Sequence, residues 1–240
     1  MDLSRRSYQP ELLDGNDIPF EEIRRNMHEL DIINTWLGGH AITINGFQRL
    51  LGTAREVHVC EIGCGGGDNL RAIHRWCRKN GIELRVTGID INPACINYAR
   101  EHSREIEKAV WIVSDYRLVD FPDRPDIIFN SLFCHHFRDE DVSHCLRWMF
   151  DRARLGFFVN DLHRHALAYH SIRLLTSAFS RSRLVRHDAP LSVLRGFRRA
   201  ELEAMTLAAI SKTEAAKWTL SWAWAFRWML LCRIERTTRP

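Results

Sequence analysis

A glycine-rich turn constrains this chain more than any other feature of its sequence. Residues 59–70 are VCEIGCGGGDNL, an apolar approach followed by four glycines within positions 63–67. Turns of this kind follow a β-strand and open a helix, and without Cβ atoms the backbone can approach a ligand closely. The turn therefore predicts an α/β fold that holds a ligand at the end of its first strand.

Apolar runs alternate with helical stretches from residue 57 onward, which is typical of a parallel sheet wrapped by helices. The predicted strands are residues 57–62, 84–90, 110–115, 126–130 and 155–161. We expect Asp68 to cap the helix after the first strand and Asn92-Pro93 to open the next one. A further helix is predicted around residues 141–150. These elements form successive βα units.

The segments on either side of these units have other patterns. Residues 18–37 place apolar side chains three and four positions apart, which predicts an amphipathic helix within an N-terminal helical cap, residues 1–50. The main domain is then residues 51–240, with a helical insertion at about 162–209. Within it we expect two or three helices, including ALAYHSIRLLTSAF and RAELEAMTLAAI, around a polar segment, SRSRLVRHDAPLSVLRGF. The tail KWTLSWAWAFRWMLLCRI predicts a closing β-hairpin.

The glycine turn does not match the two common phosphate-binding patterns. A nucleoside triphosphate loop has the pattern GxxxxGK[ST], and no such lysine follows here. A dinucleotide loop has GxGxxG, but its third glycine position is Asp68 in this chain. The acid Glu61, just before the turn, would also repel a pyrophosphate and attract a cation. The sequence therefore favours a cationic ligand.

Three elements in order resemble motifs of the class I S-adenosylmethionine-dependent methyltransferases. They are the pattern ExGxGxG from Glu61 to Gly67, the acid Asp90 at the end of the second strand, and Ser114-Asp115-Tyr116 at the end of the third. The resemblance covers residues 57–161. It implies S-adenosylmethionine as cofactor and a Rossmann-like, doubly wound sheet of seven strands, mostly parallel, with a C-terminal antiparallel hairpin. The cofactor-binding residues that it implies are Glu61, Gly63, Gly65, Gly67, Asp90, Ile91, Asp115, Tyr116 and Asn130.

Histidines are frequent after the fourth and fifth strands, where the acceptor of the methyl group should lie. A hydroxyl acceptor must lose its proton, and histidine is suited to act as the base. His163 is our first candidate because it follows the strand end at Asp161, and His135 is the second. The expected acceptor contacts are His136, His165, His187 and Arg195.

The charge distribution bears on the acceptor and on rival functions. Residues 163–200 contain eight arginines and one acid, in a chain with a net charge of +4. This surplus favours an anionic small molecule, while the small number of aromatic residues among the arginines argues against nucleic acid. Because no acid ends the fourth strand, we expect no metal ion. Seven scattered cysteines without a CxxC pair predict neither disulfides nor a zinc site.

The sequence thus predicts an O-methyltransferase for a small aromatic or polyketide-like hydroxyl. Methylation at carbon or nitrogen, or of RNA, and a catalytically silent cofactor-binding protein are the alternatives, and a homodimer is compatible with the sequence. No apolar run is long enough to span a bilayer, and the first residues lack the apolar core of a signal peptide. We therefore expect a cytoplasmic protein.

Overall fold

The computed structural model describes residues 2–15, 18–210 and 215–235 as one sheet with helices on both faces. The strands are β1 Glu56–Ile62, β2 Glu83–Asp90, β3 Ala109–Val113, β4 Ile127–Ser131, β5 Gly156–Leu162, β6 Ala216–Ala223 and β7 Arg227–Ile234. The helices are α1 Phe20–Trp36, α2 Gly39–Leu51, α3 Asp68–Asn80, α4 Pro93–His102, α5 Asp139–Arg152, α6 Ala166–Phe179, α7 Arg183–Arg195 and α8 Arg199–Ala209.

The strand order is β3-β2-β1-β4-β5-β7-β6. Strands β1 to β5 are parallel, whereas β7 runs antiparallel to both β5 and β6. The predicted seven-stranded, doubly wound sheet with its C-terminal hairpin is therefore confirmed. The order reverses beside β1, and this is the point at which ligands bind in open α/β sheets.

The two faces of the sheet are covered by separate apolar clusters. Alternation along β1 places Val57 and Val59 against Phe47 and Leu50 of α2 on one face. On the other face, Ile62 packs in the cluster that contains residues of α5 and α8. Because α2 begins within the predicted cap at Gly39 and ends at Leu51, the last part of that cap contributes to the main core. The boundary at residue 50 stays a prediction.

The helix starts illustrate what local sequence can specify. Asn92 caps α4 as expected, since its side chain accepts a hydrogen bond from the backbone N–H of Ala94 at 2.9 Å. The expectation that Asp68 caps α3 was wrong. Gly67, in a left-handed conformation, holds the cap position of that helix. The side chain of Asp68 instead accepts hydrogen bonds from Asn34 and His40, which belong to the preceding helices.

The insertion contains three helices, the upper number expected, and the polar segment forms the middle one, α7. Ser182 caps this helix by accepting a hydrogen bond from the N–H of Val185. Apolar side chains such as Leu184 and Val193 are buried along it, although Pro190 lies within it. Packing therefore outweighs the helix-breaking tendency of the proline.

The cysteines and the helix lengths bear on two further expectations. All seven cysteines are buried, and none of them is joined in a disulfide. No helix within residues 2–15, 18–210 and 215–235 has the length and apolar character needed to cross a membrane.

Candidate active site

A cavity of about 1000 Å³ lies beyond the carboxyl ends of β1, β2, β4 and β5. The glycine turn and Asp90 line one side of it, and α1 lies over them. The other side is enclosed by helices α6 and α7, by the tip of the β6–β7 hairpin and by the N-terminal segment, residues 2–15. The cavity therefore has a half built from the glycine turn and a half built from the insertion and the N-terminal segment.

The glycine turn adopts a backbone that side chains would block. Gly63 has a φ of +66°, and a Cβ built there would lie 2.1 Å from Cδ2 of Phe133. Gly67 has a φ of +74°, and its Cβ would meet the ring of Trp111 at 2.8 Å. Both glycines are therefore required by conformation and by space. Gly65 donates its backbone N–H to Asp90 at 2.9 Å, which joins the turn to the end of β2.

Glu61 is buried at the end of β1 and offers an unused acceptor to the cavity. Its Oε1 accepts a hydrogen bond from Asn69 at 3.0 Å, but its Oε2 has no partner among the described residues. Burial and the nearby charge of Asp68 raise the pKa of Glu61 well above its ordinary value. A cationic ligand group would relieve this cost, so the site fits a positively charged ligand.

Asp90 lies at the end of β2, and both of its carboxylate oxygens already take part in hydrogen bonds. They accept the backbone N–H groups of Gly65 and Asn92, each at 2.9 Å. Burial raises the pKa of Asp90, while these two hydrogen bonds favour its charged form. Each oxygen keeps further acceptor capacity toward the cavity, as binding of two ribose hydroxyls requires.

The structure does not bring all of the predicted cofactor residues to the cavity. Those that line it are Glu61, Gly63, Gly65, Asp90 and Ile91. Those that do not are Gly67, Asp115, Tyr116 and Asn130. Asp115 pairs with Arg117, whereas Tyr116 packs against Phe133, Phe137 and Trp148.

His135 occupies the wall of the cavity between two carboxylates. Its Nδ1 lies 2.7 Å from Oδ1 of Asp161, and its Nε2 lies 3.6 Å from Oε1 of Glu11. Burial alone would lower the pKa of His135, but the charges and hydrogen bonds of Asp161 and Glu11 outweigh it and raise the pKa to about 9. The imidazole of His135 is therefore mostly protonated at neutral pH, and its neutral form, whose tautomer is set by Asp161, is a strong base.

The N-terminal segment is held against this dyad by a polar network. Glu11 accepts a hydrogen bond from Ser192 of α7 at 2.7 Å, and Asp14 lies 3.2 Å from Nδ1 of His136. Asp188 of α7 accepts the backbone N–H groups of Leu12 and Leu13 at 2.8 and 3.0 Å. A segment without long regular structure therefore supplies one wall of the site.

Arg195 stabilises this polar network from outside the cavity. Its guanidinium donates to the carbonyls of Gln9, His135 and His136, and it lies 3.2 Å from Asp14. The residue is 5% exposed and does not line the cavity. Our expectation that Arg195 contacts the acceptor is not supported by this placement. It holds His135, His136 and the N-terminal segment in position.

The remaining candidate histidines lie away from the cavity. His163 donates its backbone N–H to the carbonyl of Phe226, which directs its ring against Trp228 and His165. His165 caps α6, and His187 bonds to Asp188 near the protein surface. Only His135 and His136 of the named histidines line the cavity. The preference for His163 as base therefore has no geometric support, because the pairing at the end of β5 continues past Leu162.

Sequence reasoning did not identify Glu11, Asp14 or Asp161 as parts of one network. Asp161 was considered as the strand end that precedes His163. Glu11 and Asp14 precede the predicted helix in a stretch without periodicity, and nothing local marks them as functional. Their partners lie more than 100 positions away along the chain. The acid spacing alone carries no signal for this contact.

A protein-family model described as a methyltransferase domain matches residues 59–156. This match contains the glycine turn, Asp90 and the dyad residue His135. These residues are a methyltransferase domain, and the chain is an S-adenosylmethionine-dependent methyltransferase. Its cofactor is S-adenosylmethionine, and the unpaired Oε2 of Glu61 is placed where a positively charged group of that cofactor fits. No curated protein sequence matches the methyltransferase significantly.

Solved structures share the fold of this methyltransferase at low sequence identity. The plantazolicin methyltransferase BpumL in complex with SAH has a TM-score of 0.68 and 17% identity, with 90% of each chain covered. Human N-acetylserotonin methyltransferase in complex with SAM has a TM-score of 0.61 and 17% identity, over 89% of this chain and 56% of that one. A putative O-methyltransferase from Nostoc punctiforme PCC 73102 has a TM-score of 0.56 and 12% identity, over 85% of this chain and 59% of that one.

Proposed function

We propose that this methyltransferase transfers a methyl group to a hydroxyl of a small aromatic or polyketide-like acceptor. The observation that carries the proposal is the dyad of His135 and Asp161, whose histidine lines the same cavity as Glu61 and Asp90. A hydroxyl is the acceptor class that needs a base of this strength. The likeness in fold to a putative O-methyltransferase is compatible with this chemistry.

The chemistry divides between the cofactor and the chain. The cofactor supplies a methyl group on a sulfonium, which is displaced in line by an acceptor oxygen. Asp161 accepts the Nδ1 hydrogen of His135, so that Nε2 is the nitrogen that takes the proton of the acceptor hydroxyl. With a pKa of about 9, the imidazole is close in basicity to a phenolate, whose conjugate acid has a pKa of about 10. Proton transfer to the neutral imidazole is then nearly balanced. Because a pKa of about 9 keeps His135 mostly protonated at neutral pH, this neutral form is the minor one there, and the proton it takes leaves to solvent after the methyl ether has formed.

The acceptor side of the cavity is suited to an apolar ring. Its lining includes Phe137 of the loop after β4, Ile172 and Leu175 of α6, and Val185 and Val193 of α7. These side chains exclude water from the acceptor and provide apolar contact. A planar aromatic acceptor would pack between the two insertion helices and present its hydroxyl to His135.

The arginine surplus gives weaker support for an anionic acceptor than the sequence suggested. Two of the arginines in the insertion, Arg164 and Arg195, are buried and occupied by internal partners, including Glu201 and Asp14. Arg181, Arg183 and Arg186 surround a separate surface cavity of about 400 Å³. An acidic substituent on the acceptor therefore remains a proposal, as do a homodimer and a cytoplasmic location.

The test is methyl transfer from isotopically labelled S-adenosylmethionine into a library of phenols and hydroxylated polyketide-like acids. The His135→Gln variant should lose about 100- to 10,000-fold in turnover, because a general base contributes on that order. His163→Gln is the matched control and should keep turnover within about twofold, since its ring lies outside the cavity. Calorimetry should show that both variants bind the cofactor with the affinity of the wild type.

Three outcomes would contradict the proposal. Transfer only to amines or carbon centres would reject a hydroxyl acceptor. An equal loss in both histidine variants would reject His135 as the base. No transfer to any compound, with the cofactor bound, would favour the catalytically silent alternative.

A further inference from the structure

Arg227 is a buried cation at the edge of the cavity. It is the first residue of β7, paired with Leu162 of β5 and Ala223 of β6 in the register of the sheet. The residue is 4% exposed and lines the cavity. Its guanidinium is therefore removed from bulk water but can reach a bound ligand.

The guanidinium is incompletely paired within the described chain. Its Nη2 donates to Oδ1 of Asn34 at 3.1 Å, whereas Nη1 has no hydrogen-bond partner among the described residues. Asp161 and Asp68 act on it only through space, and burial outweighs them, lowering the pKa of Arg227 to about 10. A buried, unpaired charge is costly, and a ligand anion would remove that cost.

Other buried arginines of the described chain differ from Arg227 in this respect. Arg6 binds Asp139 and three backbone carbonyls. Arg164 and Arg195 bind both carboxylates and carbonyls. These three arginines stabilise the fold through their contacts with the protein. Arg227, by contrast, lines the cavity and keeps one donor atom without a partner among the described residues.

The groups near Arg227 match the two charges of an amino acid. Asn34 bridges Arg227 to Asp68, because its Nδ2 donates to Oδ2 of Asp68 at 3.1 Å. Two acceptors in the same cavity also lack partners among the described residues, Oε2 of Glu61 and Oδ1 of Asn69. The residues that line the cavity thus include a cation with an unpaired donor and two side chains with unpaired acceptors. This is complementary to an ammonium and a carboxylate on one carbon atom.

We propose that Arg227 binds the carboxylate of the methionine part of S-adenosylmethionine, while Glu61 and Asn69 receive its ammonium. Arg227 would donate from Nη1, the atom that has no internal partner. The hairpin that closes the sheet would then be part of the cofactor site. This inference concerns the cofactor and stands whether or not the acceptor is a hydroxyl.

The test compares S-adenosylhomocysteine with 5′-methylthioadenosine, which lacks the amino-acid part. Calorimetry should show that Arg227→Met lowers the affinity for S-adenosylhomocysteine by about 10- to 100-fold, since the free energy of a charge-assisted hydrogen bond corresponds to a change of that size. The affinity for 5′-methylthioadenosine should stay unchanged. Arg227→Lys should restore part of the lost affinity. Arg233→Met, an exposed arginine on the same strand, is the matched control and should change neither affinity.

Thermal melting without ligand separates binding from folding. Arg227→Met removes an unpaired buried charge, so the free variant should melt at or above the temperature of the wild type. Its melting temperature should rise less than that of the wild type when S-adenosylhomocysteine is added. A lower melting temperature together with an equal loss of affinity for both ligands would instead assign Arg227 a packing role and overturn the proposal.

An acceptor carboxylate is the other possible ligand of Arg227, and the same variant distinguishes it from the carboxylate of the cofactor. In that case Arg227→Met would leave the affinity for both adenosyl ligands unchanged. It would lower the affinity for 4-hydroxybenzoate, but not that for 4-hydroxybenzamide, when both are measured in the presence of S-adenosylhomocysteine. This result would overturn the assignment to the cofactor. Unchanged binding of all four compounds would show that Arg227 binds no carboxylate.

Discussion

The two halves of the cavity are built in different ways. The cofactor half takes Glu61, the glycine turn and Asp90 from 30 consecutive positions, and strands β1 and β2 fix their placement. The acceptor half joins Glu11 and Asp14 to His135, Asp161 and Asp188, which lie more than 100 positions away along the chain. The first half is held by backbone geometry and the second by side-chain bonds between distant elements.

This difference indicates which half can change without loss of the fold. Glycines at positive φ and a backbone bond from Gly65 to Asp90 tolerate few substitutions. The polar network of the acceptor half is attached to the sheet only at the ends of β4 and β5. We therefore expect substitutions in the cofactor half to remove binding altogether, and those in the acceptor half to alter affinity, pH dependence or rate.

The largest effect is expected from Asp90→Ala. The substitution removes the acceptor predicted for the ribose and also releases the N–H groups of Gly65 and Asn92. We expect cofactor affinity to fall by roughly a thousandfold, since two hydrogen bonds to a charged group are lost. Calorimetry checks this, with Asp123→Ala, an exposed acid, as control. Cofactor binding that survives the change would remove Asp90 from the site.

The next effect is the dependence of stability on pH. The pKa of His135 rises from an ordinary value of 6.5 to about 9 in the folded protein, so its stabilisation is complete below pH 6.5 and disappears as pH rises through 9. The free energy of unfolding should fall by up to roughly 3 kcal/mol over this range. Urea unfolding at several pH values measures it, and His135→Gln should flatten the curve over this range. An identical pH dependence in the variant would show that His135 is not the group responsible.

A smaller effect is expected from Asp188→Ala, which frees the N–H groups of Leu12 and Leu13. The N-terminal segment should then close the acceptor half less firmly. We expect the KM for the acceptor to rise about tenfold, with cofactor affinity unchanged, because two hydrogen bonds of about 1 kcal/mol each are lost. Steady-state kinetics on an identified acceptor would measure this, and Asp120→Ala serves as an exposed control. A drop in cofactor affinity would contradict the division into two halves.

The smallest expected effect is that of a chelator. Ligand atoms of Glu11, His135 and His136 lie within 4.8 Å of one another, close enough to hold an ion. Their hydrogen bonds to Ser192, Asp161 and Asp14 already account for this arrangement. Dialysis against EDTA should therefore leave turnover unchanged. Loss of activity that added Zn²⁺ or Mn²⁺ restores would reveal a metal site.

The same contrast explains how much the sequence could predict. The strands, the cap at Asn92, the closing hairpin and the groups at Glu61 and Asp90 follow from short-range patterns, and the structure places them where expected. The helix at residues 183–195 was predicted only as a polar segment of the insertion, because Pro190 interrupts its apolar spacing. His163 was preferred over His135 because the sequence does not show that pairing with the hairpin turns its side chain away. Contacts between distant segments leave no local periodicity to detect.

The attachment of the N-terminal segment has a consequence for the order of folding. Arg6 donates its Nε hydrogen to the carbonyl of Arg195, 189 positions later in the chain. During synthesis the segment emerges first, yet its partners on α7 emerge only when most of the sheet has been made. Contacts of such long range are slow to form, because the entropy of closing the loop precedes their gain. The acceptor pocket should therefore close last, after strands β1 to β5 have already brought the cofactor residues together.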